Sequence, residues 1–535
     1  DGKVYVVWGY QGLQFAEMKS DLSDIKRETQ RTLIEPRNGM GEGCHFYKID
    51  GRYYIISANY NPVGYMVCAR ADRPEGPYEI TTISAEETFG VGNGWRLRGM
   101  GRGGPGFELQ EPRPTQMGAI PLHQGGIVQT PAGEWWGFSM MDHNSIGRLT
   151  CLSPVTWKDG WPFFGLPGNP LRTPRTWLKP KTAAPYERTA PYERDDDFAG
   201  PKLNPVWQWN HVPVDSKWSL EARSGFLRLQ TQPAKNFWTA NNTLTQRAVG
   251  PESIPTAELE ISGLKPGDVA GLALLNHPYA WIGVTRTDAG TMLTQFDELS
   301  GESATAPMPE GVARVWLRAE CDFESEQAIF SFSTDGRTFA PLGRAFTMVF
   351  QLKTFQGVRY SLFAYNSTGA PGGHVDFDRF TVAEPQANGT GDRIPIGKVI
   401  TLTSLADDTR LVAWNGVLRP VPLRAPQAST AAARFRVLDR GQGRVALQAE
   451  DGSGIVAVTG VGGLGDVRVQ KSPGETASSF QWQDMLRDEV MLLSVVTQRH
   501  IHAEPQSGGL ASADSPGARP GRKDGTCFRW EEVSP

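Results

Sequence analysis

The chain has 535 residues with 54 Lys and Arg against 58 Asp and Glu, and this near-neutral balance disfavours a nucleic-acid partner. Its 60 Gly, 39 Pro and 16 Trp indicate many short strands joined by tight turns. The sequence contains no stretch of about 18 apolar residues, so no membrane-spanning helix is predicted. The length is sufficient for two to four domains of about 100–200 residues each, so we expect an all-β protein of several domains.

A short unit occurs three times near the start of the chain. The copies lie at residues 1–5, 50–54 and 132–136. Each copy reads as a two-residue hairpin turn followed by an aromatic, alternating strand, and each is followed by a further strand pattern. Four-stranded units repeated at this scale are typical of propeller blades. The sequence therefore predicts about two and a half blades over residues 1–172, with a Gly-rich insertion at 89–114.

Residues 173–194 read as an extended linker, because they are rich in proline and charge and contain the segment Ala-Pro-Tyr-Glu-Arg twice. From residue 195 to about 384, short strand patterns follow one another closely. This density of alternating strands predicts a two-sheet β-sandwich.

The last 140 or so residues contain a second repeat, with a spacing of about 45 residues. Three β-only units of this length predict a β-trefoil over residues 393–535. One pair of apolar positions recurs in each unit, and all six side chains are expected to point inward. They are Ile400, Leu402, Val445, Leu447, Val490 and Leu492.

The five cysteines are too few and too scattered for a disulfide framework. They are Cys44, Cys68, Cys151, Cys321 and Cys527. No two of them form a C-x-x-C pair that would suggest a zinc site, so we expect free thiols, mostly buried.

The segment from Glu42 to Tyr54, Glu-Gly-Cys-His-Phe-Tyr-Lys-Ile-Asp-Gly-Arg-Tyr-Tyr, resembles the general-acid blade of glycoside hydrolase family 43. His-Gln-Gly-Gly at 123–126, Gly-Arg at 147–148 and the segment 154–162 resemble the last blade of that family. Two motifs, at 207–211 and 242–247, resemble the C-terminal sandwich of its xylosidase and arabinofuranosidase members. The resemblance implies a partial five-bladed β-propeller followed by a concanavalin-A-like β-sandwich. The trefoil resembles the fascin-like type.

The resemblance also implies an activity, which is the inverting, exo-acting hydrolysis of terminal pentoses from xylan-type chains. β-Xylosidase is the first expectation and α-L-arabinofuranosidase the second, with xylan or arabinoxylan of the plant cell wall as the partner. An alternative from a different class is a non-catalytic carbohydrate-binding protein that uses the sandwich and the trefoil. Actin bundling, suggested by the fascin-like shape, is the weakest alternative because only one trefoil is present. No organic cofactor is implied.

Inversion requires two carboxyl groups on opposite sides of the scissile bond, one as acid and one as base. The resemblance assigns the general acid to Glu42. The base and a tuning Asp of the family match no position in this sequence and are expected upstream of residue 1, as is any signal peptide, because Asp1 falls inside a strand pattern. The chain alone is therefore expected to be inactive, and its location secreted or periplasmic. Asp142 is a weaker alternative acid.

Three further residues are candidates for the site. The resemblance places His123 on the propeller axis, where it would contact a water-bound cation such as calcium, and gives Arg148 the role of binding sugar hydroxyls. Trp95, in the Gly-rich insertion, is a candidate for stacking on a sugar ring, although a solvent loop is as plausible. A second candidate calcium site comprises Asp195–Asp197 with Asp376 and Asp378, at the two ends of the sandwich.

Overall fold

The computed structural model describes residues 2–10, 12–59, 65–84, 96–97, 108–110, 122–174, 177–180, 192–349, 354, 356–385, 394–461, 464–504, 509–519 and 521–533. Within these ranges every regular element is a β-strand or a short 3-10 helix, so the all-β prediction is confirmed. The 3-10 helices are Arg27–Thr29, Pro36–Asn38, Asn144–Ile146, Asp215–Lys217, Phe237–Thr239, Pro426–Ser429 and Ala431–Ala433. No helix in the described part of the chain is long and apolar enough to cross a membrane.

The N-terminal part contains three antiparallel sheets of three, four and three strands, as expected for neighbouring blades, and two shorter strand pairs. The sheets are β1–β3, β4–β7 and β10–β12. The strands are β1 (Tyr5–Trp8), β2 (Leu13–Glu17), β3 (Arg31–Ile34), β4 (Glu42–Ile49), β5 (Arg52–Asn59), β6 (Tyr65–Ala71), β7 (Glu79–Ser84), β8 (Arg96–Leu97), β9 (Leu109–Gln110), β10 (His123–Gln129), β11 (Trp135–His143), β12 (Gly147–Pro154), β13 (Thr156–Lys158) and β14 (Trp161–Phe163).

The predicted two-residue hairpin turn forms at residues 50–51. Asp50 and Gly51 both have positive φ, 48° and 84°, and join β4 to β5 as a two-residue turn. In the copy at 132–136 the turn is longer, because Gln129 pairs with Trp135, and Asp1 of the first copy lies outside the described residues. Side chains of the central sheet then pack on both neighbours. One cluster joins Leu13 and Ile34 to Ile55, and another joins Ile56 to Ile127. The three sheets therefore pack side by side, with β4 and β10 in contact.

The middle of the chain forms two eight-stranded, mainly antiparallel sheets. They enclose the largest hydrophobic cluster in the described part of the chain. The strands are β15 (Gln208–Trp209), β16 (Trp218–Ser219), β17 (Leu227–Gln230), β18 (Gln232–Pro233), β19 (Leu244–Arg247), β20 (Glu252–Glu260), β21 (Asp268–Leu275), β22 (Ala280–Thr287), β23 (Gly290–Asp297), β24 (Glu302–Pro307), β25 (Arg314–Asp322), β26 (Gln327–Ser333), β27 (Ala340–Pro341), β28 (Phe346–Thr347), β29 (Arg359–Asn366) and β30 (His374–Ala383). One sheet has the order β15-β19-β29-β21-β22-β23-β24, and its eighth strand, β18, also pairs with β29. The other has the order β16-β17-β30-β20-β25-β26-β27, and its eighth strand, β28, also pairs with β26. The alternating burial along β20 reflects one face on the core and one toward solvent.

In the C-terminal part, six strands pair in a closed ring and three hairpins extend from it. The strands are β31 (Val399–Ser404), β32 (Thr409–Trp414), β33 (Val417–Pro422), β34 (Phe435–Asp439), β35 (Arg444–Ala449), β36 (Ile455–Val461), β37 (Leu464–Gln470), β38 (Phe480–Asp484), β39 (Glu489–Ser494), β40 (His500–His502), β41 (Ser512–Ser515) and β42 (Phe528–Glu532). The ring is β31-β34-β35-β38-β39-β42 and closes back on β31. The hairpins are β32–β33, β36–β37 and β40–β41. The assignment of this barrel to the trefoil folds, and to the fascin-like type, stays a prediction.

The six apolar positions predicted to face the barrel interior are all fully buried in one cluster. All five cysteines are free, and Cys68, Cys321 and Cys527 are buried, as expected for structural thiols. Burial raises the pKa of Cys68 and Cys321, so both stay protonated.

Leu447→Ala is expected to lower the free energy of unfolding of the barrel by about 2–5 kcal/mol, because it removes a fully buried side chain from the common core. Chemical denaturation followed by circular dichroism measures the change. Leu464→Ala is the matched control, since Leu464 is 71% exposed and its truncation should change stability by no more than about 0.5 kcal/mol. Equal effects of the two substitutions would contradict the inward orientation of Leu447.

Candidate active site

Glu42, the predicted general acid, is the first residue of β4 and lies at a β-bulge. Glu42 is opposite Ala58 and His45 is opposite Ile56, so β4 has one extra residue between these pairs. The hydroxyl of the buried Ser57 accepts a hydrogen bond from the Glu42 N–H at 3.1 Å and donates one to the Glu42 carbonyl at 3.0 Å. Both backbone polar groups of the acid candidate are therefore held by one buried side chain.

A second β-bulge, in β10, lies directly against the first. Relative to β11, β10 has one extra residue between His123 and Gly126, and Gln124 within it has a φ of 50°. Gly43, with a φ of 64°, is the point of contact, because a Cβ there would lie 2.8 Å from the Cβ of Gln124. Any side chain at position 43 would therefore separate the strands that begin with Glu42 and His123. His123 itself is buried.

Contacts further along β4 and β10 fix the two bulges relative to each other. The Ile127 N–H donates a hydrogen bond to the Tyr47 Oη at 2.9 Å. A Cβ at Gly126 would lie 2.1 Å from the same oxygen, so only glycine fits beneath the Tyr47 ring. Burial raises the pKa of Tyr47, which keeps its hydroxyl neutral. The ring of Phe138 in β11 also contacts His45 edge to face, with 5.2 Å between the ring centroids.

Arg148, predicted to bind substrate, is ion-paired with Asp142. The two are cross-strand partners in β11 and β12, with 2.9 Å between Arg148 Nε and Asp142 Oδ1. Asp142 shares a face of β11 with Met140, which is opposite His123 in β10. His123, Asp142 and Arg148 therefore lie at the same end of one sheet. The carboxylate of Asp142, the weaker acid candidate, is engaged by Arg148.

Trp95 lies outside the described residues. Of the insertion at 89–114, the structure describes 96–97 and 108–110, which pair as β8 and β9. The stacking role of Trp95 stays a prediction.

The turn that joins β11 to β12 is held by the β-sandwich. The Asn144 Nδ2 donates to the Phe323 carbonyl at 2.7 Å, and the Ser145 N–H donates to Glu326 Oε1 at 2.6 Å. The Ser145 carbonyl accepts a hydrogen bond from the Val358 N–H at 2.8 Å. Asp142 and Arg148 flank this turn, so their positions depend on the sandwich.

Four charged or titratable side chains, His143, Glu324, Glu489 and Arg522, form a junction of all three parts of the chain. Arg522, from the barrel, lies 2.6 Å from Glu324 of the sandwich and 2.6 Å from Glu489 of the barrel. His143 Nε2, at the end of β11, lies 3.8 Å from Glu324 Oε1. All four side chains are buried. A separate contact joins the barrel to the N-terminal part, where Arg444 Nη2 donates to the Asn169 Oδ1 at 2.5 Å.

The carboxylates of the proposed second calcium site are engaged by protein groups. Asp196 accepts hydrogen bonds from the Phe198 N–H and the Trp207 Nε1, both at 2.8 Å. Asp376 accepts a bidentate pair from Arg228 at 2.7 and 2.8 Å. The two ends of the sandwich do meet, through the bridge between Asp196 and Phe380. Within the described ranges, no group of three or more His, Cys, Asp or Glu side chains is placed to hold a metal ion.

The chain is similar to known glycoside hydrolases. A sequence model of the "Beta xylosidase C-terminal Concanavalin A-like domain" matches residues 195–383. A "Beta-xylosidase" of Formosa agariphila is 31% identical over 391 residues, which cover 64% of this chain and 60% of the relative. The solved structure of a bifunctional GH43-CE protein of Bacteroides eggerthii superposes with a TM-score of 0.58 at 28% identity, over 83% of this chain and 51% of that chain. The chain is similar to members of glycoside hydrolase family 43, and its residues 195–383 match the C-terminal domain of β-xylosidases of that family.

Other relatives of this chain differ in the activities that their names give. A "Non-reducing end alpha-L-arabinofuranosidase" of Bacteroides ovatus is 31% identical over 221 residues, covering 39% of this chain and 36% of the relative. An engineered GH43 enzyme described as both an endo-xylanase and an exo-arabinofuranosidase superposes with a TM-score of 0.57 at 27% identity, over 71% of this chain and 72% of that chain. The chain spans about 60% of the length of the Formosa agariphila β-xylosidase and of a "Putative beta-xylosidase" of Xylanibacter ruminicola.

Ser57 and Glu326, which bind the backbone of Glu42 and of Ser145 through hydrogen bonds, were not identified from the sequence. Ser57 stands alone as a polar residue in the apolar run Tyr53–Ala58, and this interruption is a signal that could have identified it. Glu326 gave no such signal, because Glu324-Ser325-Glu326 reads as an exposed hairpin turn. Its partner Ser145 lies 181 residues away in the sequence.

Glu326→Gln is expected to remove a pH-dependent term from the stability of the sandwich. Burial raises the pKa of Glu326 well above its ordinary value of 4.5, and the hydrogen bond from Ser145 only partly opposes this. Because the folded-state pKa is the higher one, the stabilising contribution is complete below pH 4.5 and is lost as the pH rises through the raised pKa. Thermal denaturation between about pH 4 and pH 8 should show wild type losing stability relative to the variant.

The control for this prediction is Glu320→Gln, on the exposed side of the neighbouring strand β25. Its difference from wild type should stay constant over the same pH range. A constant difference for Glu326→Gln as well would contradict the prediction.

Proposed function

We propose that the polypeptide containing this sequence is an exo-acting, inverting glycosidase that removes terminal pentoses from xylan-type polysaccharides. β-Xylosidase activity is the first assignment and α-L-arabinofuranosidase activity the second. The substrate is xylan or arabinoxylan of the plant cell wall. These polymers are too large to enter a cell, which favours a secreted or periplasmic location.

The observation that carries the proposal is the pair of facing bulges that begin β4 and β10. They bring Glu42 and His123 to adjacent strand starts, beside the ion pair of Asp142 and Arg148. Bulges of this kind re-aim side chains and are over-represented next to active sites. In a chain with a β-xylosidase relative, this arrangement supports a sugar-binding pocket at this end of the sheets.

In the proposed reaction Glu42 protonates the leaving glycosidic oxygen, while a second carboxylate deprotonates the attacking water from the opposite face of the sugar. Inversion needs about 6.5–9.5 Å between the two carboxyl groups to leave room for that water. Arg148 donates hydrogen bonds to vicinal sugar hydroxyls, and Asp142 fixes the plane of its guanidinium through Nε.

The calcium expected near His123 has little support from the donor set. In the part of the chain that the structure describes, no cluster of three metal-ligating side chains includes His123. A single buried imidazole does not suit calcium, which prefers six to eight oxygen ligands. No step of the proposed reaction is therefore derived through a metal ion, and none uses an organic cofactor.

Proton NMR of the first sugar released tests the proposal directly. The natural polypeptide containing this sequence is incubated with an aryl β-D-xyloside, whose leaving group is a phenol and not a second xylose, and with an aryl α-L-arabinofuranoside. Inversion at a β-xyloside gives α-xylose before mutarotation, so its anomeric signal should appear first. Initial release of β-xylose would exclude inversion, and hydrolysis of neither substrate would overturn the assignment to terminal pentoses.

A further inference from the structure

A cleft of about 670 Å³ lies between the β-sandwich and the barrel. The sandwich contributes the end of β25 and the turn after it, and the barrel contributes three loops and the start of β42. The lining residues that matter below are Asp322, Asp408, Glu489, Arg522, Lys523 and Arg529. Charged groups of both signs dominate the lining, and none of the described lining residues is aromatic.

Some of these charged side chains form ion pairs between the sandwich and the barrel. Arg487 lies 2.5 Å from Glu252 and 3.4 Å from Asp322, both of the sandwich. Arg522 binds Glu324 and Glu489 at the base of the cleft. These contacts set the distance between the walls, so the cleft does not depend on a flexible loop for its shape.

Other groups in the cleft are available to a ligand. Asp408 and Lys523 are exposed, and neither side chain has a hydrogen-bond or ion-pair partner among the residues that the structure describes. Arg522 is only 4% exposed, and its buried Nε has no hydrogen-bond partner among the residues that the structure describes. A buried donor without a partner is costly, and a ligand hydroxyl would satisfy it.

The chemistry of the lining selects among ligand classes. An anion would meet five carboxylates, those of Asp322, Glu324, Asp407, Asp408 and Glu489. Among the described lining residues, an apolar ligand would find only Leu405 and Ala406. A sugar hydroxyl both donates and accepts, so vicinal hydroxyls can bond to a carboxylate and to a cation at the same time.

We propose that this cleft binds the end of a neutral saccharide, with Asp408 accepting hydrogen bonds from its hydroxyls and Lys523 and Arg522 donating to them. Without an aromatic platform the binding is expected to be weak, with a Kd of about 1 mM. The cleft is formed by the sandwich and the barrel alone. Its assignment is therefore independent of the proposed glycosidase pocket.

Saturation-transfer NMR with xylotriose tests the proposal on the 535-residue chain. Asp408→Gly and Lys523→Gln are each expected to weaken binding at least about tenfold, the loss expected for one or two hydrogen bonds. Glycine is chosen at position 408 because Asp408 has a φ of 53°, so the substitution introduces no backbone strain. Asn415→Gly is the matched control, because Asn415 is an exposed residue of the barrel with a φ of 49° that does not line the cleft.

Arg148→Met separates this cleft from the candidate active site. Loss of xylotriose binding in Asp408→Gly and Lys523→Gln, with retention in Asn415→Gly and Arg148→Met, supports the proposal. Loss in Arg148→Met alone assigns the binding to the candidate active site and overturns it. Absence of binding at about ten times the expected Kd overturns it, as does binding of glucuronate without xylotriose, which indicates an anion site.

Discussion

Glu42→Gln, in the natural polypeptide that contains this sequence, is expected to lower kcat on xylobiose by about 10²–10⁴-fold, the usual contribution of a general acid. Xylose is a poor leaving group, so departure of its oxygen depends on a proton. A dinitrophenyl β-xyloside has an acidic leaving group that needs little protonation, and its kcat should fall less than about tenfold. Steady-state kinetics on the two substrates measures the difference.

Two comparisons make this result specific to proton donation. Glu28→Gln changes an exposed carboxyl of the 3-10 helix Arg27–Thr29 and should leave both rates unchanged. Gln at position 42 keeps the size of the side chain, and the hydrogen bonds between Ser57 and the backbone of residue 42 do not involve the carboxyl group. Equal losses on both substrates would indicate that Glu42 has a structural role.

The second large effect is expected from Arg522→Met, which should destabilise the protein by about 3–5 kcal/mol. Burial lowers the pKa of Arg522, but the charge of Glu324 and the hydrogen bonds to Glu324 and Glu489 raise it by more, so its pKa is raised and the guanidinium is charged. Without it, two buried carboxylates lack their shared cation. Urea denaturation followed by tryptophan fluorescence measures the loss.

Arg529→Met is the matched control for this substitution. Arg529 lies 3.8 Å from the same Glu489, but its side chain is 54% exposed, so its loss should cost no more than about 1 kcal/mol. Adding Glu324→Gln and Glu489→Gln to Arg522→Met should restore most of the stability, because the unpaired charges are then removed as well. If Arg522→Met cost no more than Arg529→Met, the junction would contribute little to stability.

The sequence was sufficient to predict the parts of the fold that depend on local pattern. Asp50 and Gly51 favour a tight hairpin wherever they stand between strands, and the 45-residue spacing of Leu402, Leu447 and Leu492 follows from one unit used three times. The family motif places Glu42 just before a strand at His45–Ile49, and β4 begins at Glu42 itself. In each case the information lies within about 50 residues of sequence.

The support of the candidate site could not be predicted in the same way. The bulge at Gly43 becomes understandable only when Gln124 is known to lie against it, 81 residues later. The hydrogen bond between Ser145 and Glu326 and the ion pair between Arg522 and Glu324 each join two different parts of the chain. They depend on how these parts pack together, which no local sequence pattern encodes. The cleft between the sandwich and the barrel, with the side chains of Asp408, Lys523 and Arg522 that line it, is formed by the same packing.

The two contacts made by Arg444 and Arg522 have a consequence for how such a protein can change in evolution. A module on a flexible tether can be gained, lost or exchanged without altering its neighbours. This barrel instead touches the N-terminal part through Asn169 and the sandwich through Glu324. We therefore expect family members without the barrel to carry other residues at the positions of Asn169 and Glu324, and members with it to keep both. The barrel would then be inherited together with the residues of the N-terminal part and the sandwich that contact it.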